Sequence, residues 1–293
     1  MKNKSDKVIA RIAKLRPLKK EIKKEEIKKS KILKKRNLKH KISKKSRAKH
    51  FKKMKLNKSI RATERINTGI ENFDRLIEGG FEKNSINLVI GSSGSGKTIF
   101  SVQFLVEGIK RGENCLYVTF EEKKAEFYSN MMRFGWDLDK YEKTGKFTFL
   151  EYTPEKVRTM LEEGGGIIES VVLRKQIRRI VIDSITSFEL LFEEDIKKRE
   201  AALSLFNMLR RWKCTSLLTY EDDPKKQKIS STLEFESDST VVLYYLRTKK
   251  ERERYLEITK MRGTNHAREV YPFSIRKNGI AIGIKPASEK LEI

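Results

Sequence analysis

Length, composition and charge exclude several classes of protein. The chain has 293 residues, of which 38% are hydrophobic, so it can bury a core. Residues 1–60 contain 26 Lys and Arg against 4 Asp and Glu, whereas residues 61–293 contain 40 against 36. The two cysteines, Cys115 and Cys214, are too few for a secreted disulfide scaffold, and no apolar run reaches the ~18 residues of a membrane span. We therefore expect a cytoplasmic protein whose excess positive charge lies in an N-terminal tail.

Residues 1–58 form this Lys-rich tail, which has low sequence complexity. Isolated Ile and Leu residues recur every three to five positions over 9–27, but Pro17 interrupts the pattern. So much like charge with so little apolar surface predicts a segment that is disordered alone or helical on a partner. Two interpretations stay open. The tail is either a solvated extension without a specific ligand, or a contact for nucleic acid or another polyanion.

From about Arg61 onward, strand and helix patterns alternate along the chain. An apolar strand at 85–90 leads into a Gly/Ser-rich turn, and a helical pattern at 98–112 ends at Gly112, a typical C-terminal capping residue. The next strand patterns lie at 114–120, 146–152, 178–184 and 215–221, and the next helical patterns at 124–135, 154–163, 167–177 and 197–212. The last patterns, at 239–246, 255–263 and 272–282, indicate strands joined by turns.

The apolar runs of these strands are continuous, which is typical of parallel strands covered on both faces. The alternation of strands with helices predicts an α/β fold with a central, mostly parallel sheet. We expect the β-rich C-terminal part to extend this sheet in antiparallel fashion. The predicted domain covers residues 59–285, and residues 286–293 form a short C-terminal tail.

Residues 91–98 read GSSGSGKT and fit the phosphate-binding pattern G-x-x-x-x-G-K-[ST] at every fixed position. We call these residues the phosphate loop. Glycines let backbone N–H groups turn toward phosphate oxygens, Lys97 supplies a positive charge, and the Thr98 hydroxyl can hold Mg²⁺. The loop lies between a predicted strand and a predicted helix, which is the context that the pattern requires. The predicted phosphate-binding residues are Gly91, Ser92, Ser93, Gly94, Ser95, Gly96, Lys97 and Thr98.

Carboxylates follow two further strands. Asp183 ends the apolar run RIVID, where a carboxylate could hold Mg²⁺ beside the phosphate loop. Glu121 and Glu122 follow the run LYVTF, also at the carboxyl end of a predicted parallel strand, where ligands gather. The pair is either a solvated strand end neutralised by Lys123 and Lys124, or a base that activates water. The phosphate loop and the aspartate favour the base.

Several stretches together resemble the KaiC-like ATPases of the RecA superfamily. The similar stretches are residues 68–98, 103–122, 179–188 and 258–282, and the resemblance covers about residues 61–285. It implies a RecA-like fold that binds ATP and Mg²⁺, with Glu121 and Glu122 as the water-activating carboxylates. Because adjacent residues of an extended strand point to opposite faces, we expect one of these two glutamates to face the phosphate of the nucleotide and the other to face a neighbouring subunit.

The resemblance also implies an oligomer. A Lys-x-Arg pair of the family, here Lys260 and Arg262, reaches the γ-phosphate held by a neighbouring subunit, where cations stabilise the transition state. ATP would then lie at subunit interfaces of a homo-oligomeric ring, often a hexamer, or of a filament. The alternative for these two residues is an ordinary basic strand end.

Three functional hypotheses follow from the sequence. The first is an oligomeric, Mg²⁺-dependent ATPase that uses its nucleotide state to control assembly or a partner. The second is a nucleic-acid-binding protein that uses the basic tail, with ATP as a regulatory ligand. The third is a nucleotide-binding regulator with little turnover.

Overall fold

The computed structural model describes residues 64–153, 166–190, 192–222, 231–248 and 251–288, together with positions 156 and 159. The basic tail at 1–58 and most of the helix predicted at 154–163 lie outside the described residues, so both stay predictions. None of the helices in the described part of the chain has the length and hydropathy of a membrane span.

The predicted elements that fall within the described residues occur in the predicted order, and several short elements are additional. The strands are β1 Arg65–Ile66, β2 Phe81–Glu82, β3 Ile86–Gly91, β4 Cys115–Thr119, β5 Phe147–Glu151, β6 Arg179–Asp183, β7 Thr215–Glu221, β8 Ser239–Arg247, β9 Arg252–Met261, β10 Tyr271–Arg276 and β11 Gly279–Ile282. The helices are α1 Lys97–Lys110, α2 Lys124–Met132, α3 Leu138–Lys143, α4 Gly166–Lys175, α5 Ile185–Glu189, α6 Asp195–Trp212 and α7 Ser231–Glu236. A short 3-10 helix at Asp74–Ile77 lies between β1 and β2, a region without a predicted element.

Nine of these strands form one sheet in the order β11-β10-β9-β8-β3-β7-β6-β4-β5. The six strands from β8 to β5 in this order pair parallel with one another. Strands β9, β10 and β11 then pair antiparallel beyond β8. The predicted α/β fold is therefore confirmed. The antiparallel extension is confirmed for β9, β10 and β11, whereas β8, the first of the C-terminal strands, pairs parallel with β3.

The sheet separates two apolar layers because successive side chains of a strand point to opposite faces. On β3, for example, Val89 packs into the layer that contains Phe100 and Phe104 of α1. Its neighbours Leu88 and Ile90 pack into the other layer, which includes residues of α4 and α6. Burial on both faces explains why the apolar runs of the parallel strands are continuous.

A buried cation joins helix α1 to the amino end of β6. Arg179 is only 1% exposed, and its guanidinium donates to Glu113 Oε2 (2.5 Å), the Phe104 carbonyl oxygen (2.8 Å) and the Asn67 carbonyl oxygen (2.8 Å). It also lies over the Phe104 ring, 4.7 Å from the ring centre. A buried charge is tolerated when it is paired and hydrogen-bonded in this way. These contacts fix the position of α1, the helix that follows the phosphate loop.

Gly108 in α1 provides a test of this packing. Replacing a glycine inside a helix with alanine normally stabilises a protein by about 1 kcal/mol. A Cβ atom at Gly108, however, would lie 2.5 Å from Arg179 Nε and 2.6 Å from its Cδ. We expect Gly108→Ala to lower the free energy of unfolding by about 1–3 kcal/mol, measured by urea denaturation. A variant more stable than the parent would contradict the tight contact.

Candidate active site

The carboxyl ends of β3, β4, β6 and β7 meet at one edge of the sheet and surround a cavity of about 370 Å³. This volume lies within the range of about 300–1,000 Å³ that is typical of small-molecule sites. The cavity is lined by Ser93, Gly94, Gly96, Lys97, Thr98, Ile99, Thr119, Glu121, Glu122, Asp183, Ser184, Glu221, Arg254 and Ile275.

The phosphate loop connects the end of β3 to the start of α1. Gly94 and Gly96 have φ angles of 75° and 108°, in the left-handed region that favours glycine, and Gly96 caps the helix. At the strand end, a Cβ atom on Gly91 would lie 2.5 Å from the Leu243 carbonyl oxygen of β8. Glycines are therefore required both for the shape of the loop and for its contact with the neighbouring strand.

Lys97 is the buried cation of this loop. Its side-chain Nζ donates to the carbonyl oxygens of Gly91 (2.9 Å) and Ser92 (3.1 Å) and lies 3.9 Å from Glu221 Oε2. Burial lowers the pKa of Lys97, while nearby carboxylates, Glu221 foremost, act in the opposite direction. The ammonium group is thus positioned at the cavity wall, where an anion can approach it.

Thr98 and Asp183 lie side by side, with Thr98 Oγ1 donating to Asp183 Oδ2 at 2.9 Å. The same carboxylate accepts hydrogen bonds from Tyr117 (2.6 Å, on Oδ2) and Thr219 (2.5 Å, on Oδ1). Within the described residues, no group of three or more His, Cys, Asp or Glu side chains could hold a metal ion alone. Mg²⁺ commonly binds through one or two protein oxygens together with substrate phosphates. The adjacent hydroxyl and carboxylate fit that mode of binding.

The paired glutamates do not continue strand β4, which ends at Thr119. The chain bends at Phe120, and the backbone N–H groups of Glu121 and Glu122 both donate to Thr119 Oγ1, at 3.2 and 3.1 Å. Both glutamates line the cavity. The expectation that they point to opposite faces is wrong, because it assumed an extended strand.

The two carboxylates have different surroundings. Glu121 Oε1 accepts hydrogen bonds from the hydroxyl groups of Ser187 and Ser184. Burial raises the pKa of Glu122, and the negative charges of Asp183 and Glu121 raise it further. The Glu121 carboxylate is therefore held by hydroxyl donors, and the Glu122 carboxylate has an increased affinity for a proton.

The lysines that follow the pair contact other partners. Lys123 Nζ lies 3.4 Å from Glu151 Oε2, and Lys124 Nζ lies 2.6 Å from Glu142 Oε2. The structure therefore does not show the alternative in which these two lysines neutralise the charges of the paired glutamates.

Lys260 and Arg262 lie on and just after β9, away from the cavity of their own chain. Lys260 Nζ donates to the carbonyl oxygens of Glu234, Phe235 (3.1 Å) and Ser237 (2.7 Å), around the end of α7. Arg262 Nη2 donates to the Phe235 carbonyl oxygen at 2.6 Å. Partial burial lowers the pKa of Lys260, and the neighbouring positive charge of Arg262 lowers it further. The structure does not bring this pair to the phosphate loop of the same chain.

Several residues near the site were not predicted from the sequence, among them Tyr117, Thr219 and Arg254. Tyr117 and Thr219 bind Asp183, and Arg254 donates to the Gly94 carbonyl oxygen at 3.1 Å. For Tyr117 the sequence does contain a signal, because side chains alternate between the two faces of a strand. Tyr117 lies two residues before Thr119 at the end of β4, so the two side chains point to the same face of the sheet. Arg254 is brought to the loop by the pairing of β9, which is remote in sequence and left no local signal.

The strand order and the loop between β3 and α1 define the class of RecA-type α/β domains. Comparison with known families is more specific, because the model of the ATPase KaiC family matches residues 66–287. The chain therefore belongs to the KaiC ATPase family.

Individual relatives agree with this assignment. The chain is 36% identical to circadian clock protein KaiC3 of Synechocystis sp. over 229 residues, which are 75% of this chain and 45% of that protein. It is 33% identical to a UPF0273 protein of Thermotoga maritima over 75% of this chain and 96% of that protein. The crystal structure of a KaiC-like protein from Pyrococcus horikoshii OT3 matches with a TM-score of 0.69 and 38% identity, covering 75% and 99% of the two chains. The chain thus spans about half the length of its clock-protein relatives.

Proposed function

We propose that this chain binds ATP together with Mg²⁺ and hydrolyses the ATP. One observation carries the proposal: Lys97, Thr98, Asp183, Glu121 and Glu122 converge on a single cavity at the carboxyl ends of parallel strands. This edge of a parallel sheet is where such folds bind ligands. Membership of an ATPase family supports ATP as the nucleotide.

The phosphate loop would bind the phosphates in this proposal. Its backbone N–H groups and the amino terminus of α1 favour negative charge, and Lys97 adds a full positive charge. Thr98 and Asp183 would hold Mg²⁺ through their oxygens, and bound Mg²⁺ would neutralise charge on the phosphate oxygens during phosphoryl transfer.

Glu121 and Glu122 would orient and deprotonate the attacking water. The raised pKa of Glu122 makes it a stronger base than an exposed glutamate, which suits proton removal near neutral pH. The hydroxyl groups of Ser184 and Ser187 would hold Glu121 in place beside it. We assign water activation to the pair as a unit.

We also propose a homo-oligomer, either a ring, such as a hexamer, or a filament, in which Lys260 and Arg262 act on ATP held by a neighbouring subunit. Their position outside the cavity of their own chain supports this role. Nucleotide state would then control assembly or a partner. Cys115 and Cys214 are both free thiols, which supports the cytoplasm as the location.

Lys97→Ala tests nucleotide binding. Loss of a charge-assisted contact should weaken binding of a fluorescent ATP analogue by about 10- to 100-fold. Lys124→Ala is the matched control, because Lys124 pairs with Glu142 and does not line the cavity. Unchanged affinity in Lys97→Ala would reject the phosphate loop as the binding site.

Replacing both Glu121 and Glu122 by Gln tests the catalytic pair. We expect ATP binding to persist while phosphate release falls by about 10²- to 10⁴-fold, as for loss of a general base. Glu200→Gln, a change of the same type at an exposed position on α6, should behave like the parent. If the double variant still hydrolyses ATP at the rate of the parent, the two glutamates are part of a structural turn and have no catalytic role.

A complementation assay tests the action between subunits. A Lys260→Ala, Arg262→Ala variant and the double glutamine variant should each be nearly inactive. Mixing them with ATP and Mg²⁺ should restore part of the hydrolysis, because some interfaces then combine intact glutamates with intact cations. Sedimentation with and without nucleotide would show whether the subunits assemble. Inactive mixtures of assembled protein, or a permanently monomeric parent, would contradict the proposal.

A further inference from the structure

A buried tyrosine contacts the proposed metal-side carboxylate from inside the core. Tyr117 lies on β4 and has no exposed surface, and its hydroxyl donates to Asp183 Oδ2 at 2.6 Å. Strand pairing explains the reach of this side chain. Thr119 of β4 is opposite Asp183 of β6, and Tyr117 is two residues earlier on the same face. The phenol therefore extends along the sheet toward the strand end.

The ring of Tyr117 is held by its aromatic neighbours. The Phe127 ring centre lies 4.5 Å away, and the Phe149 ring is stacked at 5.7 Å with an interplanar angle of 6°. All three side chains belong to one close-packed apolar layer. Close packing of this kind restricts ring movement, so the position of the hydroxyl is determined by the core.

The hydrogen bonds of Asp183 are distributed unequally over its two oxygens. Oδ1 accepts from Thr219, whereas Oδ2 accepts from both Thr98 and Tyr117. Apart from Thr98, which would help to hold the cation, each oxygen has one donor, Thr219 on Oδ1 and Tyr117 on Oδ2. Tyr117 and Thr219 extend from the strands on either side of β6, so they restrain the carboxylate from both sides.

We propose that Tyr117 is a positioning residue that fixes the Asp183 carboxylate for the Mg²⁺ that binds with the nucleotide. The inference rests on the proposed function and deepens it by assigning a role to a residue outside the cavity lining. Second-layer donors of this kind orient metal ligands and commonly change metal affinity by about 10- to 100-fold when removed.

Tyr117→Phe removes the hydroxyl and keeps the ring that packs against Phe127 and Phe149. We expect the Mg²⁺ concentration for half-maximal binding of a fluorescent ATP analogue to rise by about 10-fold. Binding of the same analogue without metal should be unchanged. The matched control is Tyr244→Phe, since Tyr244 is also a buried tyrosine that donates to a carboxylate, Glu257 Oε2, at 2.7 Å, and it does not line the cavity.

The two binding curves separate the possible outcomes. A shift confined to the Mg²⁺ titration of Tyr117→Phe supports the positioning role. Equal Mg²⁺ dependence in Tyr117→Phe and the parent would overturn this inference alone, while the parent's binding would still support the proposed function. Weaker binding with and without metal, together with a lowered melting temperature, would show a structural role and reject the inference. A parent that binds no nucleotide would overturn both proposals.

Discussion

The parallel register of β3, β7, β6 and β4 is the constraint on which the site depends. It aligns Gly91 with Glu221 and Thr119 with Asp183, and it pairs β6 with β7 up to Ile182 and Leu218, so that the carboxyl ends of the four strands lie close together at one edge of the sheet. Because side chains alternate between faces, a slip of one residue in β6 would turn Asp183 away from the phosphate loop. The buried apolar residues between these ends determine the register, and the polar residues of the site follow from it.

Strand β6 has a charged residue at each end, and the two are stabilised differently. At its amino end, Arg179 is fully buried and is paired with Glu113 and backbone carbonyl oxygens. At its carboxyl end, Asp183 accepts hydrogen bonds from neutral hydroxyl groups, which satisfy its oxygens without cancelling its charge. The first arrangement suits a structural role, because a paired charge has little attraction left for a ligand. The second leaves a full negative charge at the cavity.

The parts of the site that are local in sequence could be predicted from it. The phosphate loop depends on glycines, Lys97 and Thr98 at fixed spacing, and continuous apolar runs marked the parallel strands. The course of the chain after β4 could not be predicted, because the Thr119 hydroxyl accepts two backbone N–H groups and ends the strand. The partners of Lys123 and Lys124 come from residues far along the chain, and no local pattern indicates them.

Charge balance argues that nucleotide and metal would enter this site together. Among the residues that the structure describes, four carboxylates line the cavity, against two cations, Lys97 and Arg254. Lys97 is further occupied by two carbonyl oxygens of its own loop, and burial already disfavours its charged form. A bare triphosphate would therefore meet an excess of negative charge at short range, where screening by salt is weak. A divalent cation at Thr98 and Asp183 would offset that repulsion, while the phosphates would complete an oxygen ligand set that the protein supplies only in part.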